Sequence, residues 1–221
     1  MKTFIIAIDG PAGSGKSTIA KKIAKKYKLT YLDTGAMYRM VTLYFIKNDI
    51  DVKKNVNIND ILDKIVLDIK EDQFFLNGEN VSSEIRTPEV SSRVSVISAI
   101  KEVRAKLVEH QRELSHNKRV IIDGRDIGTV VFPNAQVKIF LMATPEERAY
   151  RRYKEYQEKG INESYENVLE SIRTRDIIDS TRKESPLIKA SDATEIDTSH
   201  MGIDEVIAVI SGYIDKVIEG F

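Results

Sequence analysis

Residues 4–17 read FIIAIDGPAGSGKS and decide the fold of this 221-residue chain. The apolar, β-branched run Phe4–Ile8 predicts a buried strand. The stretch that follows Asp9, from Gly10 to Ser17, fits the phosphate-loop pattern G-x-x-x-x-G-K-[ST] at every fixed position. Its glycines let successive backbone N–H groups point into one concavity, and the helix that follows adds its positive N-terminal end. Strand, loop and helix together predict a binding site for a nucleoside triphosphate.

The phosphate-loop pattern also assigns roles to its side chains. Lys16 would reach the β- and γ-phosphates, and the Ser17 hydroxyl would bind Mg²⁺. A chance match in a glycine-bearing turn is the alternative, and the flanking strand and helix argue against it. The predicted nucleotide-binding residues are Gly10, Pro11, Ala12, Gly13, Ser14, Gly15, Lys16, Ser17 and Thr18.

Composition narrows the class of protein. The chain carries 34 basic and 34 acidic side chains, so it has no bulk attraction to nucleic acid or to a membrane. It contains no cysteine, which excludes disulfides and thiolate chemistry, and its hydrophobic content of 42% is enough for a sizeable core. No signal peptide or long apolar run is found in it. We therefore expect a cytoplasmic protein. Its expected partners are small-molecule nucleotides, with neither nucleic acid nor membrane, and we expect the chain to be a monomer.

Strand and helix patterns alternate along most of the chain, which predicts the α/β fold of P-loop NTPases, a parallel sheet with helices on both faces. Asn77-Gly78, directly after two short strand patterns, is a hairpin signal, so a small β-containing insert interrupts the alternation. The predicted strands are 4–8, 30–32, 66–69, 74–76, 120–122, 137–142 and 194–196. The predicted helices are 17–28, 35–48, 57–65, 89–99, 103–114, a helix from Pro145 to a break at Gly160, 165–183 and 203–218.

Arginines lie near predicted strand ends or in the helices that follow them. Ligands of open α/β sheets bind beyond the carboxyl ends of the strands, and the planar guanidinium group suits phosphate oxygens. Any one of these arginines alone is more often a solvated surface charge. Several flank motif-like strings, which favours a phosphate-binding group. These arginines are Arg39, Arg104, Arg125, Arg148, Arg151, Arg152, Arg173, Arg175 and Arg182.

Two of the strings follow predicted strands. In Asp33-Thr34-Gly35-Ala36-Met37-Tyr38-Arg39, the last two residues lie one turn into a helix, and a helix cap followed by a core tyrosine is the alternative. The second string begins where a predicted strand ends, at Asp123, and reads Ile122-Asp123-Gly124-Arg125-Asp126-Ile127-Gly128-Thr129. The Asp123 carboxylate could lie near Mg²⁺, as in a Walker B motif, or the Gly-Arg-Asp that follows could contact substrate. Both interpretations remain open.

Two helical faces carry paired charges. Arg175, Asp179 and Arg182 lie at i, i+4 and i+7 of one helix, which fits either a substrate site or a salt-bridge ladder. Arg148 and Arg152 share a face just before a predicted helix break. They predict a mobile flap that closes over a triphosphate and excludes water, with a charged solvent face as the alternative.

With these strings in view, the chain resembles the bacterial-type cytidylate kinases, P-loop proteins of the nucleoside monophosphate kinase family. The resemblance runs nearly end to end, and no motif position departs from it. Its most specific string is Gly-Arg-Asp-x-Gly-Thr-Val-Val-Phe-Pro. The matching stretches are 8–17, 32–39, 83–87, 123–133, 147–152 and 175–176.

The resemblance implies a core of about 1–50 and 100–221, a monophosphate-binding insert of about 51–99 and a lid of about 150–165. It implies transfer of the γ-phosphoryl group of ATP to CMP or dCMP, with Mg²⁺, in pyrimidine nucleotide metabolism. The implied substrate residues are Tyr38 and Arg39 at the acceptor nucleotide, Ser95, Arg104 and Asp126 at cytosine, and Arg125, Arg175, Asp179 and Arg182 at the acceptor phosphate or ribose. The implied catalytic residues are Lys16, Arg125, Arg175 and, at ATP from the lid side, Arg148 and Arg152.

These motifs contain no obvious general base, and the chemistry explains why. The second pKa of a phosphate monoester is about 6, so the acceptor oxygen is already a nucleophile at neutral pH. Alignment and charge neutralisation remain, which Lys16, Mg²⁺ and the arginines would supply. The rival functions are a kinase of another small acceptor, such as shikimate, thymidylate or guanylate, and a GTPase-type switch, although the sequence has no Asn-Lys-x-Asp string for reading guanine.

Overall fold

A computed structural model describes residues 3–70 and 72–220 of the chain. Within this part of the chain, no helix combines the length and apolar character needed to cross a bilayer. The strands are β1 (Phe4–Asp9), β2 (Thr30–Asp33), β3 (Leu67–Lys70), β4 (Gln73–Leu76), β5 (Glu79–Asn80), β6 (Arg119–Gly124), β7 (Val137–Met142) and β8 (Thr194–Asp197). The helices are α1 (Lys16–Tyr27), α2 (Thr34–Lys47), α3 (Ile58–Leu62), α4 (Pro88–Ser98), α5 (Lys101–Ser115), α6 (Pro145–Glu158), α7 (Tyr165–Thr181) and α8 (Ile203–Glu219).

These elements form two compact units. The first unit comprises Met1–Asp33 and Ser115–Phe221, and the second comprises Thr34–Leu114. The second unit begins earlier in the chain than the insert expected at 51–99, because α2 packs on α4 and β4. The division into core, monophosphate-binding insert and lid stays a prediction.

The first unit is built on a parallel five-stranded sheet in the order β2-β6-β1-β7-β8. Phe4, Ile6 and Ile8 of the central strand β1 pack in one core with apolar residues of α1 and α8. Ile5 and Ala7 point to the opposite face and are buried as well, so both faces of the sheet are covered. The predicted α/β fold with a parallel sheet is confirmed.

The strand register brings three carboxylates to one edge of this sheet. Asp33 at the end of β2 pairs with Asp123 of β6, and Asp9 at the end of β1 pairs with Gly124. All three aspartates therefore lie at the carboxyl ends of their strands, where open α/β sheets bind ligands. The phosphate loop leaves β1 at this same edge.

The second unit combines helices with a small antiparallel sheet in the order β3-β4-β5. Asn77 and Gly78 both have positive φ, 49° and 87°, and form the predicted hairpin turn, which joins β4 to β5. The two-residue strand β5 is too short to show an alternating pattern and was not predicted from the sequence. Met37 and Met40 of α2 are fully buried in this unit.

The turn Ile127–Val131, which directly follows the Gly-Arg-Asp string, was not predicted from the sequence. The N–H of Phe132 donates to the carbonyl of Ile127, five residues earlier, at 2.7 Å. The N–H of Val131 donates in the same way to the carbonyl of Asp126 at 3.1 Å. This wide helical turn has no hydrophobic periodicity of its own, and such turns occur frequently at functional sites.

Candidate active site

The phosphate loop joins β1 to α1, and its backbone requires glycine at two positions. Gly10 has a φ of 148°, and a Cβ atom there would lie 2.1 Å from the carbonyl oxygen of Leu141 in β7. Gly15 has a φ of 90° and caps α1, which begins at Lys16. The positive end of a twelve-residue helix therefore adjoins the loop, as an anion site requires.

Lys16 is folded against its own loop. Its Nζ donates to the Pro11 carbonyl at 2.6 Å and lies 3.3 Å from Ser14 Oγ, and its side chain is buried. Burial, followed by the positive charges of Arg125 and Arg175, holds the pKa of Lys16 well below its usual range. Negative charge brought to this lysine is therefore electrostatically favoured. Thr18, also predicted at the nucleotide, is exposed on the first turn of α1.

Ser17 and Tyr31 hold one carboxylate between them. Ser17 Oγ donates to Asp123 Oδ2 at 2.8 Å, and the Tyr31 hydroxyl donates to Asp123 Oδ1 at 2.9 Å. Burial, and after it the negative charge of Asp33, raises the pKa of Asp123 to about 6. Asp123 thus adjoins the predicted metal ligand Ser17, as a Walker B carboxylate does. Tyr31 had not been predicted at the site.

Three predicted arginines surround Asp179. Arg125 Nε donates to Asp179 Oδ2 at 3.0 Å, and this carboxylate is almost completely buried. Burial alone would raise the pKa of Asp179, but Arg125, Arg175 and Arg182 together hold it below its usual range. Burial, and after it the charge of Arg125, lowers the pKa of Arg175 to about 10. Because Arg125 comes from a different segment, the group is more than a salt-bridge ladder within α7.

Arg148 of α6 is buried among fixed partners. Its guanidinium group binds both carboxylate oxygens of Asp176 in α7, at 2.9 and 2.6 Å. It also donates to the carbonyls of Ala12 in the phosphate loop, at 3.2 Å, and of Ala143, at 2.8 Å. Arg148 therefore connects α6 and α7 to the phosphate loop, and the alternative of a solvent-facing side chain does not apply to it. A contact of Arg148 with ATP stays a prediction.

The next two arginines of α6 lie in different surroundings. Arg152 Nη1 lies 3.4 Å from a carboxylate oxygen of Glu155, and its side chain is 20% exposed. Arg151 donates to the carbonyl of Thr198 at 2.6 Å and to its hydroxyl oxygen at 3.1 Å. Thr198 lies outside every motif, so the sequence carried no signal for this contact.

In the second unit, Arg39 is anchored within the unit. Its Nη1 donates to the carbonyl of Ile85 and to the hydroxyl oxygen of Ser91, both at 2.9 Å. The side chain is buried. Arg39 is thus oriented by two neutral acceptors.

Tyr38 and Arg104 meet in the same unit. The guanidinium carbon of Arg104 lies 5.3 Å from the centre of the Tyr38 ring, a cation–π contact. Arg104 Nη1 donates to the carbonyl of Ser98 at 3.2 Å. Ser95, one turn earlier in α4, is buried. Together with Arg39, four of the residues expected at cytosine or the acceptor nucleotide therefore occupy buried positions of the second unit.

Asp126 belongs to the first unit and is also buried. Its carbonyl oxygen accepts from the N–H groups of Val130 and Val131 at 2.9 and 3.1 Å. The wide turn that follows Asp126 is thus closed onto Asp126 itself. The site roles of these residues stay predictions.

The chain is similar along its whole length to known cytidylate kinases. The cytidylate kinase of Fusobacterium nucleatum is 57% identical over 217 residues, which cover 98% of this chain and all of that one. The cytidylate kinase of Clostridium tetani is 52% identical over 97% of this chain and 95% of that one. A gluconokinase from Sinorhizobium meliloti shares only the fold, with a TM-score of 0.53 and 11% identity over 99% of this chain and 95% of that one. The cytidylate kinase family profile matches residues 6–216, so this chain belongs to the cytidylate kinase family.

Proposed function

We propose that the protein transfers the γ-phosphoryl group of ATP to CMP and dCMP, which yields ADP with CDP or dCDP. The observation that carries the proposal is the proximity of the phosphate loop to the arginine group in the first unit. Arg125 follows Gly124, which pairs with Asp9 directly before the phosphate loop, and Arg148 donates to Ala12 of that loop at 3.2 Å. The positive charges of Arg125 and Arg175 also lower the pKa of Lys16. Such a concentration of positive charge favours two phosphate groups brought together for transfer.

The proposed step uses the acceptor as its own nucleophile. An oxygen of the acceptor phosphate forms a bond to the γ-phosphorus, while the bond from that phosphorus to the bridging oxygen of ADP breaks. Since the second pKa of the acceptor phosphate is about 6, no side chain has to remove a proton at neutral pH. Lys16, Arg125 and Arg175 would align the reacting groups and neutralise their charge.

The residues beside Lys16 fit a magnesium ion that arrives with ATP. Among residues 3–70 and 72–220, no group of three or more histidine, aspartate or glutamate side chains is arranged to hold a metal ion. Ser17 Oγ and Asp123 Oδ2 could serve as oxygen ligands of the metal and lie 2.8 Å apart. Mg²⁺ typically takes one or two protein ligands together with phosphate oxygens and water. Bound there, Mg²⁺ would neutralise phosphate charge.

We propose that buried polar side chains recognise the base of the acceptor. Cytosine offers an amino donor at N4 and acceptors at N3 and O2. The Asp126 carboxylate would accept from N4, and Arg104 would donate to the ring acceptors. Uracil has an acceptor at O4 in place of the N4 donor of cytosine, and a donor at N3 in place of an acceptor. Buried polar side chains that face these reversed groups would lose their hydrogen bonds, which would weaken the binding of UMP. Tyr38, Ser95 and Arg39 would bind the rest of the acceptor, with Arg39 on its phosphate.

Transfer of label tests this function. ATP labelled at the γ-phosphate is incubated with Mg²⁺ and CMP or dCMP, and the products are separated. The label should appear in the β-phosphate of CDP or dCDP, with little inorganic phosphate. Label found only in inorganic phosphate, or faster transfer to GMP, dTMP or shikimate, would refute the proposal.

A further inference from the structure

Asp9, the last residue of β1, holds the start of the wide turn Ile127–Val131. Its Oδ1 accepts from the N–H of Ile127 at 2.8 Å, and its Oδ2 accepts from the N–H of Gly128 at 2.7 Å. The side chain is buried. Each carboxylate oxygen thus takes one charge-assisted hydrogen bond from two consecutive peptide groups. We call this pair of bonds the Asp9 clamp.

The Asp9 clamp lies directly after Arg125 and Asp126 in the chain. The carbonyl of Asp126 is held from the other side, because it accepts from the N–H groups of Val130 and Val131. The peptide group that joins Asp126 to Ile127 is therefore held at both its N–H group and its carbonyl oxygen. A shift of the clamped peptides would move the two side chains that precede them.

The space around the clamp is tight. A Cβ atom added at Gly128 would lie 3.4 Å from Asp9 Oδ2 and 3.2 Å from Cδ of Lys138. The Lys138 side chain is itself fixed, since its Nζ donates to both carboxylate oxygens of Asp192 at 2.8 and 2.7 Å. The Gly128 peptide therefore has little room to move while Asp9 holds it.

We propose that Asp9 is a positioning residue for the acceptor nucleotide, whose carboxylate fixes the backbone that carries Arg125 and Asp126. This inference rests on the proposed function, in which Arg125 and Asp126 bind the acceptor. Although Asp9 adjoins Gly10 in the chain, its carboxylate is bonded to the turn. Its loss should therefore affect acceptor binding more than ATP binding.

The test replaces Asp9 with asparagine. Asp9→Asn keeps one acceptor oxygen and turns the other into an NH₂ group that faces a peptide N–H. We expect the KM for CMP to rise about tenfold or more, with kcat and the KM for ATP changed less than about threefold. Hydrogen exchange at the amides of Ile127 and Gly128 should accelerate by about tenfold or more. The control Asp215→Asn removes an exposed carboxylate that accepts from Tyr27 and should change none of these.

Gly128→Ala provides a second variant that disturbs the clamp from the other side. Gly128→Ala should also raise the KM for CMP. If Asp9→Asn does not fold, the KM of Gly128→Ala decides whether the clamp positions the acceptor. An unchanged KM for CMP in a folded variant with faster exchange would overturn the proposal and leave Asp9 a purely structural residue. Unchanged hydrogen exchange at the amides of Ile127 and Gly128 in Asp9→Asn would show that the clamp does not hold the turn.

Failure of the proposed function would look different. The wild-type protein would then not phosphorylate CMP, and the KM for whichever acceptor it does use would take the place of the KM for CMP. The exchange measurement on Ile127 and Gly128 needs no substrate, so it tests the clamp in either case.

Discussion

Tyr31 donates its phenolic hydrogen to Oδ1 of Asp123 at 2.9 Å, which leaves Oδ2 to accept from Ser17 at 2.8 Å. The carboxylate is thereby fixed at both oxygens. The Tyr31 hydrogen bond stabilises the ionised form of Asp123 and opposes the rise in its pKa that burial causes. Tyr31 would thus act on the proposed magnesium site through Asp123.

Tyr31→Phe should weaken the binding of Mg²⁺ in the presence of nucleotide by about tenfold, as the loss of a partner of a metal ligand does. Binding of Mn²⁺ to the complex with ADP, followed by electron paramagnetic resonance, measures this without turnover. Tyr27→Phe is the matched control, because Tyr27 donates to Asp215 on α8. Equal metal affinity in wild type and Tyr31→Phe would contradict the role given to Tyr31.

The pair Arg148 and Asp176 should be strongly coupled in stability. Both partners bind in bidentate geometry, and the Arg148 side chain is 4% exposed. Removal of Asp176 leaves the buried charge of Arg148 without its counterpart, so Asp176→Asn should cost about 3 kcal/mol of unfolding free energy. Arg148→Met leaves a carboxylate that is 28% exposed and should cost less. A double-mutant cycle by urea denaturation should give a coupling of about 1–3 kcal/mol. Additive effects would show that the contact carries no energy.

The stability of the protein should depend on the ionisation of Asp9. Burial raises the pKa of Asp9 from 3.8 to about 6, so between these values the folded state binds a proton that the unfolded state has released. This contribution favours folding at low pH and is lost as the pH rises through 6. The unfolding free energy of wild type minus that of Asp9→Asn should therefore fall by about 2 kcal/mol between pH 4 and pH 7. A constant difference would mean that the pKa of Asp9 is not raised.

Lys16→Ala should lower kcat by about 10²-fold or more, because it removes a preorganised charge from the transferring phosphoryl group. The lysine is buried and donates to Pro11, so the melting temperature has to be measured beside the rate. Lys22→Ala, on an exposed face of the same helix, is the control and should keep normal turnover. Near-normal turnover of folded Lys16→Ala would remove the phosphate loop from the mechanism.

Much of the fold was predictable because its signals are local. The strand patterns, the phosphate-loop glycines and the Asn77-Gly78 turn each depend on a few neighbouring residues, and the structure confirms them. The grouping of Arg175, Asp179 and Arg182 followed from helical periodicity. Arg125 comes from a separate segment, and the Gly-Arg-Asp string indicated that it belongs to the same site.

The contacts that were missed depend on pairing across the sheet or on tertiary packing. Tyr31 and Asp123 are 92 residues apart in sequence, and they meet only because β2 lies beside β6 in the sheet. The burial of Arg148 depends on the packing of α6 against α7, which no local pattern encodes. Mobility of the predicted lid at 150–165 stays a prediction; in the structure, Tyr156 of α6 packs with Val168 and Ile172 of α7.

Asp126 is the residue on which base selectivity should depend. Asp126→Ala should reduce the preference for CMP over UMP mainly by lowering activity with CMP, because the acceptor for the cytosine amino group is lost. The ratio of the two kcat/KM values measures this, with the melting temperature as a check on folding. Unchanged discrimination in the variant would show that another residue reads the base.

The most direct test of the central claim is the kcat/KM of the wild-type protein for a panel of acceptors with ATP and Mg²⁺. The panel contains CMP, dCMP, UMP, GMP, dTMP and shikimate. We predict that CMP and dCMP exceed UMP by at least about 10²-fold, since a site built to bond one pattern of polar groups rejects the reversed pattern. Equal use of CMP and UMP, or better turnover of GMP, dTMP or shikimate, would contradict the assignment of this protein as a kinase of CMP and dCMP.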